Sequence, residues 1–403
     1  MQMRIAMFIG LANSKRLVLL GVLLVSLCIT VLVDANEDLP AAPIVWQENS
    51  QEYQLVLREL EQLSGVIWAQ SWLDETNLLV TLRKGRLLCL TFDTNLEHIV
   101  RTQTIDLPIQ VWSKGQAGLL DIVKGPKQWF YLTYVEALKG QGVTSLARTQ
   151  FVVDESDNIH QKNWEKLLTS DASSGTNRHF GSRVAFDTQG HLYMSIGDRG
   201  VRSNGQDLSN QAAAILRLSL DGGIPSNNPF VAQTKVNSAI FSYGHRNPQG
   251  LAFDLRFKRL WAIEHGPRGG DELNLIQAGS NYGWPTTSHG KEYWGPVAVG
   301  ESETAEGIES PIKIYTPSIA PGSLMVYQSH VFEQWAGDLF SGALKLQHLN
   351  RIVMDEQGFP ISEERLLNGF GQRIRSVSTG PKGFIYIGTD SGGLYKLSPQ
   401  GRL

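Results

Sequence analysis

The chain has 403 residues and a formal net charge of −3, with 42% hydrophobic and 19% charged residues. This balance is typical of a globular protein, and without a run of basic residues it gives no electrostatic reason to bind nucleic acid. The 40 glycines are unfavourable inside helices and strands but suit tight turns, so the composition favours many short strands joined by turns.

Residues 1–35 have the pattern of an export signal. Three basic residues precede an apolar run at 17–33, and Ala35 follows at a candidate cleavage position. The run is short for a membrane-spanning helix and long for a signal peptide, so a cleaved signal and an uncleaved membrane anchor both stay open. A lipoprotein formed through Cys28 is less favoured, because the bulky Leu27 precedes it. Either main alternative places the rest of the chain in the periplasm or elsewhere outside the cytoplasm.

Residues 36–64 are expected to form a linker or a first outer strand, with 50–64 as either a short helix or that strand. Between residues 65 and 398 one unit recurs, in which short apolar runs alternate with polar or glycine breaks. It occurs around residues 78–90, 129–134, 192–196, 260–276, 339–354 and 384–397. Six such repeats predict an all-β fold, a six-bladed β-propeller. The alternative is a β-sandwich with a second domain, but the composition does not change up to the C-terminus, which favours the propeller.

Three loop regions combine polar side chains with glycine: 177–183 together with 196–200, then 243–250, then 264–272. Singly, a histidine or a Gly-Asp pair in such a loop is more typical of a turn than of a functional site. The acidic pair at 271–272 supplies hard oxygen donors beside glycine, which suit calcium better than zinc. The nine histidines have no zinc-type spacing.

Arg373 and Arg375 are two positions apart, which on a strand places both guanidinium groups on one face as a fork suited to carboxylates. A solvated basic edge is the alternative. The sequence contains no G-x-S-x-G elbow, no P-loop and no G-x-G-x-x-G unit, so hydrolases of that type, NTPases and nicotinamide enzymes lose support. Cys89 lies in an apolar run and is expected in the core.

Together these segments resemble the soluble aldose sugar (glucose/sorbosone) dehydrogenases that depend on pyrroloquinoline quinone (PQQ). The matching segments, in order, are GQAGLL (115–120), HFGSRVAFD (179–187), IGDRG (196–200), QDLSN (206–210), FSYGHRNPQGLAF (241–253), EHGPRGGDELNLI (264–276), NYGWP (281–285), PSIAPG (317–322) and GQRIR (371–375). The resemblance covers about residues 65 to 398. It implies a six-bladed propeller in which PQQ lies over one end of the channel and takes a hydride from the anomeric carbon of an aldose sugar.

The resemblance also implies roles for individual residues. His179 would be the general base, Asp198 would orient its imidazole, and Arg246 would stabilise negative charge at the quinone oxygens. The other residues expected to bind PQQ are Gln116, Asn247, Ser318, Lys345, Arg373 and Arg375, the last three through its carboxylates. Since the sequence has no C-x-x-C-H haem attachment, electrons would leave to a separate acceptor.

Calcium is the second cofactor that the resemblance implies. The main-chain carbonyls of Gly266 and Pro267 would hold one Ca²⁺ against PQQ, where it acts as a Lewis acid. Glu272 and the main chain of Tyr282 would hold a second Ca²⁺ that fixes the long loop at 264–285. The chain departs from the family pattern at Gln211–Ala214, which replaces a usual Gly-Lys pair, and at 81–83, where an acidic residue is missing.

Two other functions remain open. A calcium-dependent lactonase on a similar propeller would need the metal but would have no use for Lys345, Arg373 and Arg375. A non-catalytic sugar-binding propeller is expected to have lost His179 or the Arg246–Asn247 pair, and this chain has kept them.

Overall fold

Six antiparallel sheets make up the part of the chain that the computed structural model describes, residues 40–403. Two N-terminal strands come first, β1 (Ile44–Asn49) and β2 (Tyr53–Gln62). The first blade contains β3 (Ile67–Trp72), β4 (Asn77–Leu82), β5 (Arg86–Phe92) and β6 (Ile99–Ile105). The second contains β7 (Leu119–Lys124), β8 (Phe130–Leu138), β9 (Gln141–Val153) and β10 (Ile159–Thr169). The third contains β11 (Val184–Phe186), β12 (His191–Ile196), β13 (Ala214–Ser219) and β14 (Ile240–Tyr243).

The remaining three blades follow in the same way. The fourth contains β15 (Pro248–Asp254), β16 (Arg259–Glu264), β17 (Asp271–Ile276) and β18 (Lys313–Tyr315). The fifth contains β19 (Met325–Val326), β20 (Leu339–Gly342), β21 (Leu349–Met354) and β22 (Pro360–Leu366). The sixth contains β23 (Ile374–Thr379), β24 (Ile385–Thr389) and β25 (Gly393–Arg402). Three short 3₁₀ helices, at Pro126–Gln128, Arg202–Gln206 and Glu333–Trp335, lie in loops.

The chain is a six-bladed β-propeller, as the sequence predicted. Each of the six apolar repeats lies in a different sheet, and the inner strands of neighbouring blades lie beside one another around a central channel, with β20 rather than β19 next to β23. The β-sandwich alternative is therefore wrong. Residues 1–35, expected as a signal or an anchor, lie outside the described residues. Within residues 40–403 no helix is long and apolar enough to cross a membrane.

The ring closes through the N-terminal strands. β2 pairs with β25, which gives the sixth sheet the order β1-β2-β25-β24-β23. Of the two alternatives for residues 50–64, the helix is wrong and the outer strand is correct. Because β1 and β2 belong to the sixth sheet and β25 continues to Arg402, the propeller extends beyond residues 65–398 at both ends.

Buried Arg183 ties five blades together at the centre of the propeller. Its guanidinium donates to Gln249 O at 2.8 Å and to Gly322 O at 2.5 Å, and it pairs with Asp121 at 3.1 Å. It also reaches Trp68 O at 3.4 Å. These partners belong to the inner segments of the first, second, fourth and fifth blades, while Arg183 precedes β11 of the third. This role of Arg183 is not apparent from its local sequence.

Candidate active site

The polar loops singled out in the sequence meet at one end of the propeller. His179 precedes β11, Asp198 follows β12, Arg246 precedes β15, and the loop at 264–271 connects β16 to β17. In an antiparallel blade the first strand begins where the second ends, so all these loops lie at the same end of the channel.

His179 and Asp198 form a close pair. His179 Nδ1 lies 2.6 Å from Asp198 Oδ1, and the two side chains are 12% and 2% exposed. Gly197 allows this approach, because a Cβ there would come within 2.4 Å of the His179 carbonyl oxygen. His179 has a φ of 55°, a left-handed conformation that is uncommon outside glycine and is typical of functional sites.

Three donors hold the Asp198 carboxylate. Besides His179, the Gly200 N–H donates at 2.6 Å and the Trp284 indole N–H donates at 2.8 Å. Burial acts to raise the pKa of Asp198, but the hydrogen bond and charge of His179, the Gly200 N–H and the charge of Arg246 outweigh it, so the pKa is lowered. Asp198 is therefore ionised at neutral pH and fixed in position.

The same surroundings hold His179 in its neutral form. Burial lowers the pKa of the imidazole, the hydrogen bond from Asp198 opposes this, and the positive charges of Arg246 and Arg178 add to the lowering, so the pKa falls below its usual value. A carboxylate can only accept, so Nδ1 carries the proton and Nε2 has its lone pair available. Nε2 has no hydrogen-bond partner within residues 40–403.

Backbone hydrogen bonds fix the His179 loop from several sides. Gln116 Oε1 accepts from the His179 N–H at 2.7 Å, and Asn247 Oδ1 accepts from the Gly181 N–H at 3.2 Å. Arg199, fully buried, donates to several carbonyls of this loop and lies 3.6 Å from the centre of the Phe180 ring. Burial lowers the pKa of Arg199 to about 10, so it is a fixed cation behind the loop.

A cavity of about 270 Å³ is lined in part by Phe180 and Gly181, which follow His179 in the chain; its volume is close to the lower end of the range for small-molecule sites. The side chains of His179 and Asp198 themselves are not part of its walls. Its walls combine flat or apolar side chains with three arginines and several amides. They include Val66, Trp68, Arg83, Gln116, Phe180, Asn247, Gln249, His265, Leu344, Arg373, Arg375 and Asp390. Of the residues expected to bind PQQ, Gln116, Asn247, Arg373 and Arg375 line this cavity.

Two other expected PQQ ligands, Ser318 and Lys345, lie outside the walls of the cavity. The Ser318 hydroxyl donates to Asp271 Oδ2 at 2.7 Å, and so is used within the protein. Lys345 is exposed and follows the lining residue Leu344; its ammonium group has no partner among the described residues.

The arginine fork already holds a carboxylate of this chain. Asp390 lies 2.8 Å from Arg373 Nε and 2.8 Å from Arg375 Nε, a contact that the sequence analysis missed. With Arg83 the cavity has three arginines against this single carboxylate, so a positive excess remains. The Arg375 guanidinium also lies 4.3 Å from the centre of the Trp68 ring. A flat anion with several carboxylates, such as PQQ, fits this combination of planar walls and cations.

The four residues expected to bind calcium all line one small cavity of about 10 Å³, room for roughly one water-sized particle. Glu264 and Glu272 lie on its wall, and Asn274 Nδ2 bridges them at 3.2 and 3.3 Å. Burial and the charge of Glu264 raise the pKa of Glu272 to about 8. One buried and one half-buried carboxylate facing an ion-sized space are suited to a hard cation. Residues 40–403 contain no cluster of three or more metal-ligating side chains, so carbonyl oxygens would have to contribute.

Both expected carbonyl ligands already accept hydrogen bonds. Gly266 O accepts from Arg246 Nη1 at 3.0 Å, and Pro267 O accepts from the Tyr293 hydroxyl at 3.0 Å. Arg246 therefore borders the same small cavity as Glu264 and Glu272. Its buried Nε has no hydrogen-bond partner in the described part of the chain. A carbonyl oxygen has two lone pairs, so these hydrogen bonds leave one for a cation.

Comparison with known proteins agrees with the fold and the motifs. The sequence pattern of the family described as glucose/sorbosone dehydrogenase matches residues 65–396. The aldose sugar dehydrogenase YliI of Escherichia coli is 36% identical over 83% of this chain and 90% of its own length. Quinoprotein glucose dehydrogenase B of Acinetobacter calcoaceticus is 29% identical over 53% of this chain and 59% of its own. The crystal structure of the soluble E. coli aldose sugar dehydrogenase in its apo-form covers 86% of this chain and all of its own, with a TM-score of 0.79 and 34% identity. The chain therefore belongs to the glucose/sorbosone dehydrogenase family.

Proposed function

We propose that this protein oxidises aldose sugars at the anomeric carbon to the lactone, with PQQ and Ca²⁺ as cofactors. The single observation that carries the proposal is the His179–Asp198 pair, whose imidazole has an available Nε2 and whose chain neighbours Phe180 and Gly181 line a positively charged cavity with planar walls. Membership of a family that includes a quinoprotein and an aldose sugar dehydrogenase supports the choice of cofactor and substrate class.

His179 moves the proton. When bound, PQQ supplies a two-electron acceptor for the hydride on the anomeric carbon, and Ca²⁺ makes it more electrophilic. Nε2 of His179 takes the proton of the anomeric hydroxyl, so the sugar loses one hydride and one proton and becomes a lactone. Asp198 accepts from Nδ1–H throughout and stabilises the imidazolium that forms. Because His179 begins neutral, it is ready to act as a base at neutral pH.

The cationic side chains would bind and orient the cofactor. Arg373, Arg375 and Arg83 would bind the cofactor's carboxylates, with Asp390 keeping the first two in place. Lys345 would turn toward the cavity to bind a carboxylate, and Arg246 and Asn247 would stabilise the negative charge that develops on the quinone oxygens. Gly266 and Pro267 would hold one Ca²⁺, and Glu272 with the main chain of Tyr282 would hold a second; all four residues line the same small cavity. The reaction takes place outside the cytoplasm, as the leader-like residues 1–35 predict, and the reduced cofactor passes its electrons to a separate acceptor.

Reconstitution tests the proposal. The purified protein is stripped with a chelator and then supplied with PQQ, Ca²⁺, both or neither, in the presence of glucose and an electron-accepting dye. Dye reduction is expected only when both are present. Reduction without PQQ, or no reduction with any aldose, overturns the proposal. Sugar binding without any turnover indicates the non-catalytic alternative, and hydrolysis of a sugar lactone with Ca²⁺ alone indicates the lactonase.

A further inference from the structure

A hairpin at residues 291–298 carries the two most exposed aromatic side chains of the described chain. Trp294 is 75% exposed and Tyr293 is 67% exposed. Lys291 bridges to Ala298 in antiparallel fashion, and the Glu292 N–H donates to Val297 O at 2.8 Å. The aromatic pair therefore lies at the tip of a regular hairpin.

The hairpin is held at its base, so the aromatic tip is presented in a fixed position. Arg202 forms two hydrogen bonds to the Glu292 carboxylate, at 2.7 and 2.9 Å. The Tyr293 hydroxyl donates to Pro267 O at 3.0 Å. The Arg268 N–H donates to Lys291 O at 3.2 Å. Paired, bidentate contacts of this kind reduce the freedom of the segments that they join.

Both anchors lie on loops of the candidate active site. Arg202 is four residues after Asp198, and its guanidinium lies 5.8 Å from the centre of the Trp284 ring, whose N–H donates to Asp198. Pro267 follows Gly266, whose carbonyl accepts from Arg246. The tip thus lies at the rim of the site, on the side formed by Trp284 and Arg246.

The chemistry of an exposed tryptophan on this rim fits a sugar. The ring of Trp294 has no aromatic or cationic neighbour among the described residues, so its face is open to a ligand. The C–H face of a pyranose is apolar and packs against an indole face, while its hydroxyls stay in water. The reacting anomeric carbon must reach His179, which is largely buried, so any further sugar units extend outward past the rim.

We infer that Trp294 forms an outer subsite, on which the second sugar unit of a disaccharide or longer aldose stacks while the reducing-end unit reacts. This inference rests on the proposed function and specifies its substrate class further. It makes Trp294 a specificity-determining residue for oligosaccharides and leaves monosaccharide turnover independent of it.

The test compares Trp294→Ala with the unchanged protein on glucose, maltose and maltotriose, with PQQ and Ca²⁺ present. KM is expected to rise about threefold to tenfold for maltose and maltotriose, the size of effect that one aromatic contact gives, and to stay unchanged for glucose. Trp294→Phe keeps an aromatic face and is expected to restore most of the loss. Ile361→Ala, another exposed apolar residue, on β22 of the fifth blade, is the control and is expected to change nothing.

Three results overturn the inference while glucose oxidation stands. The first is an unchanged KM for maltose and maltotriose, and the second is an equal rise for glucose. The third is a changed KM for the dye, which would mark Trp294 as a contact for the electron acceptor. If the unchanged protein oxidises none of the sugars, the proposed function itself has failed. Melting temperatures of all variants show whether the hairpin or the fold has been lost.

Discussion

Two histidine–carboxylate pairs lie at the same end of this propeller, and they have different surroundings. His179 Nδ1 is 2.6 Å from Asp198, and His245 Nδ1 is 2.8 Å from Glu264. The His245 side chain is completely buried, its Nε2 lies 2.9 Å from the Ser242 hydroxyl, and its ring stacks on Tyr282 at 4.7 Å. Both of its nitrogens are thus occupied. His179 keeps Nε2 available.

A carboxylate partner does not by itself mark a catalytic histidine. Both pairs fix a tautomer, but of the two histidines only His179 has a ring nitrogen without a hydrogen-bond partner among the described residues. Glu264 also accepts from the N–H groups of Arg246 and Asn247, at 2.6 and 3.2 Å. The second pair therefore positions the loop that carries two other site residues, and we expect it to act through structure.

The largest difference between the two histidine–carboxylate pairs should appear in the activity of His179→Ala. Loss of a general base lowers kcat/KM by about a thousandfold, while the free energy of unfolding should fall less than when His245 is replaced, because Asp198 keeps the Gly200 and Trp284 donors. Dye-linked kinetics and chemical denaturation measure the two quantities. His160→Ala removes an exposed histidine that also pairs with an aspartate, and it should affect neither. Retained turnover in His179→Ala would show that another group is the base.

His245→Ala should give the opposite result. It leaves the Glu264 carboxylate buried with one partner fewer and opens a space against Tyr282, which together cost about 3 kcal/mol of unfolding free energy. The fraction that remains folded should keep most of its kcat. His191→Ala, which breaks a more exposed pair with Asp187, should cost less. A loss of kcat in fully folded His245→Ala, as deep as in His179→Ala, would erase the distinction between the pairs.

Sequence alone predicted the blades because each is a local repeat of apolar strands and glycine turns. It did not decide between helix and strand for residues 50–64, since β2 joins the sheet by pairing with β25, more than 300 residues later. The same limit applies to the site. Nothing in the local sequence separates His179 from His245, which both lie in polar loops beside glycine, and only the resemblance to a family singled out His179.

Asp390 and Trp284, whose roles were not predicted, act through contacts between segments that are far apart in the sequence. Asp390 lies in a Thr-Asp-Ser-Gly-Gly turn, and it meets the arginine fork because Ile374 pairs with Thr389 in the β23–β24 hairpin. Trp284 belongs to a quoted motif, but its sequence does not reveal that its N–H reaches Asp198, 86 residues earlier. The sequence predicts which types of residue lie in the site. Their hydrogen-bond partners become apparent only in the folded structure.

A smaller effect is expected at Trp284. Trp284→Phe keeps a ring beneath Arg246, whose guanidinium lies 5.3 Å from the ring centre, but removes one of the donors to Asp198. The carboxylate then holds His179 less firmly, and kcat should fall about tenfold, while KM for glucose stays the same. Trp261→Phe is a matched control, because the buried indole N–H of Trp261 has no partner in the described residues. A KM effect without a kcat effect would argue against this positioning role.

The smallest expected effect is the shift in the pKa of His179 itself. In the cofactor-free protein its pKa should lie below about 6.5, the usual value for histidine, because burial and the charges of Arg246 and Arg178 outweigh Asp198. Asp198→Asn removes the negative charge that raises this pKa and leaves only a weaker, neutral hydrogen-bond acceptor, so the pKa should fall further. NMR of labelled histidine, with the signal identified by its absence in His179→Gln, measures both values.

The sign of the stability effect follows from the same shift. Because its pKa is lowered in the folded state, His179 has no effect on the free energy of unfolding at pH values above its pKa in the unfolded chain. Below about pH 6.5 the unfolded chain takes up the proton first, so His179 destabilises the fold. His179→Gln should therefore lose stability less steeply than the unchanged protein between pH 7 and pH 5. An unchanged slope, or a pKa above 6.5, would mean that Asp198 dominates the imidazole. His179 would then begin partly protonated at neutral pH.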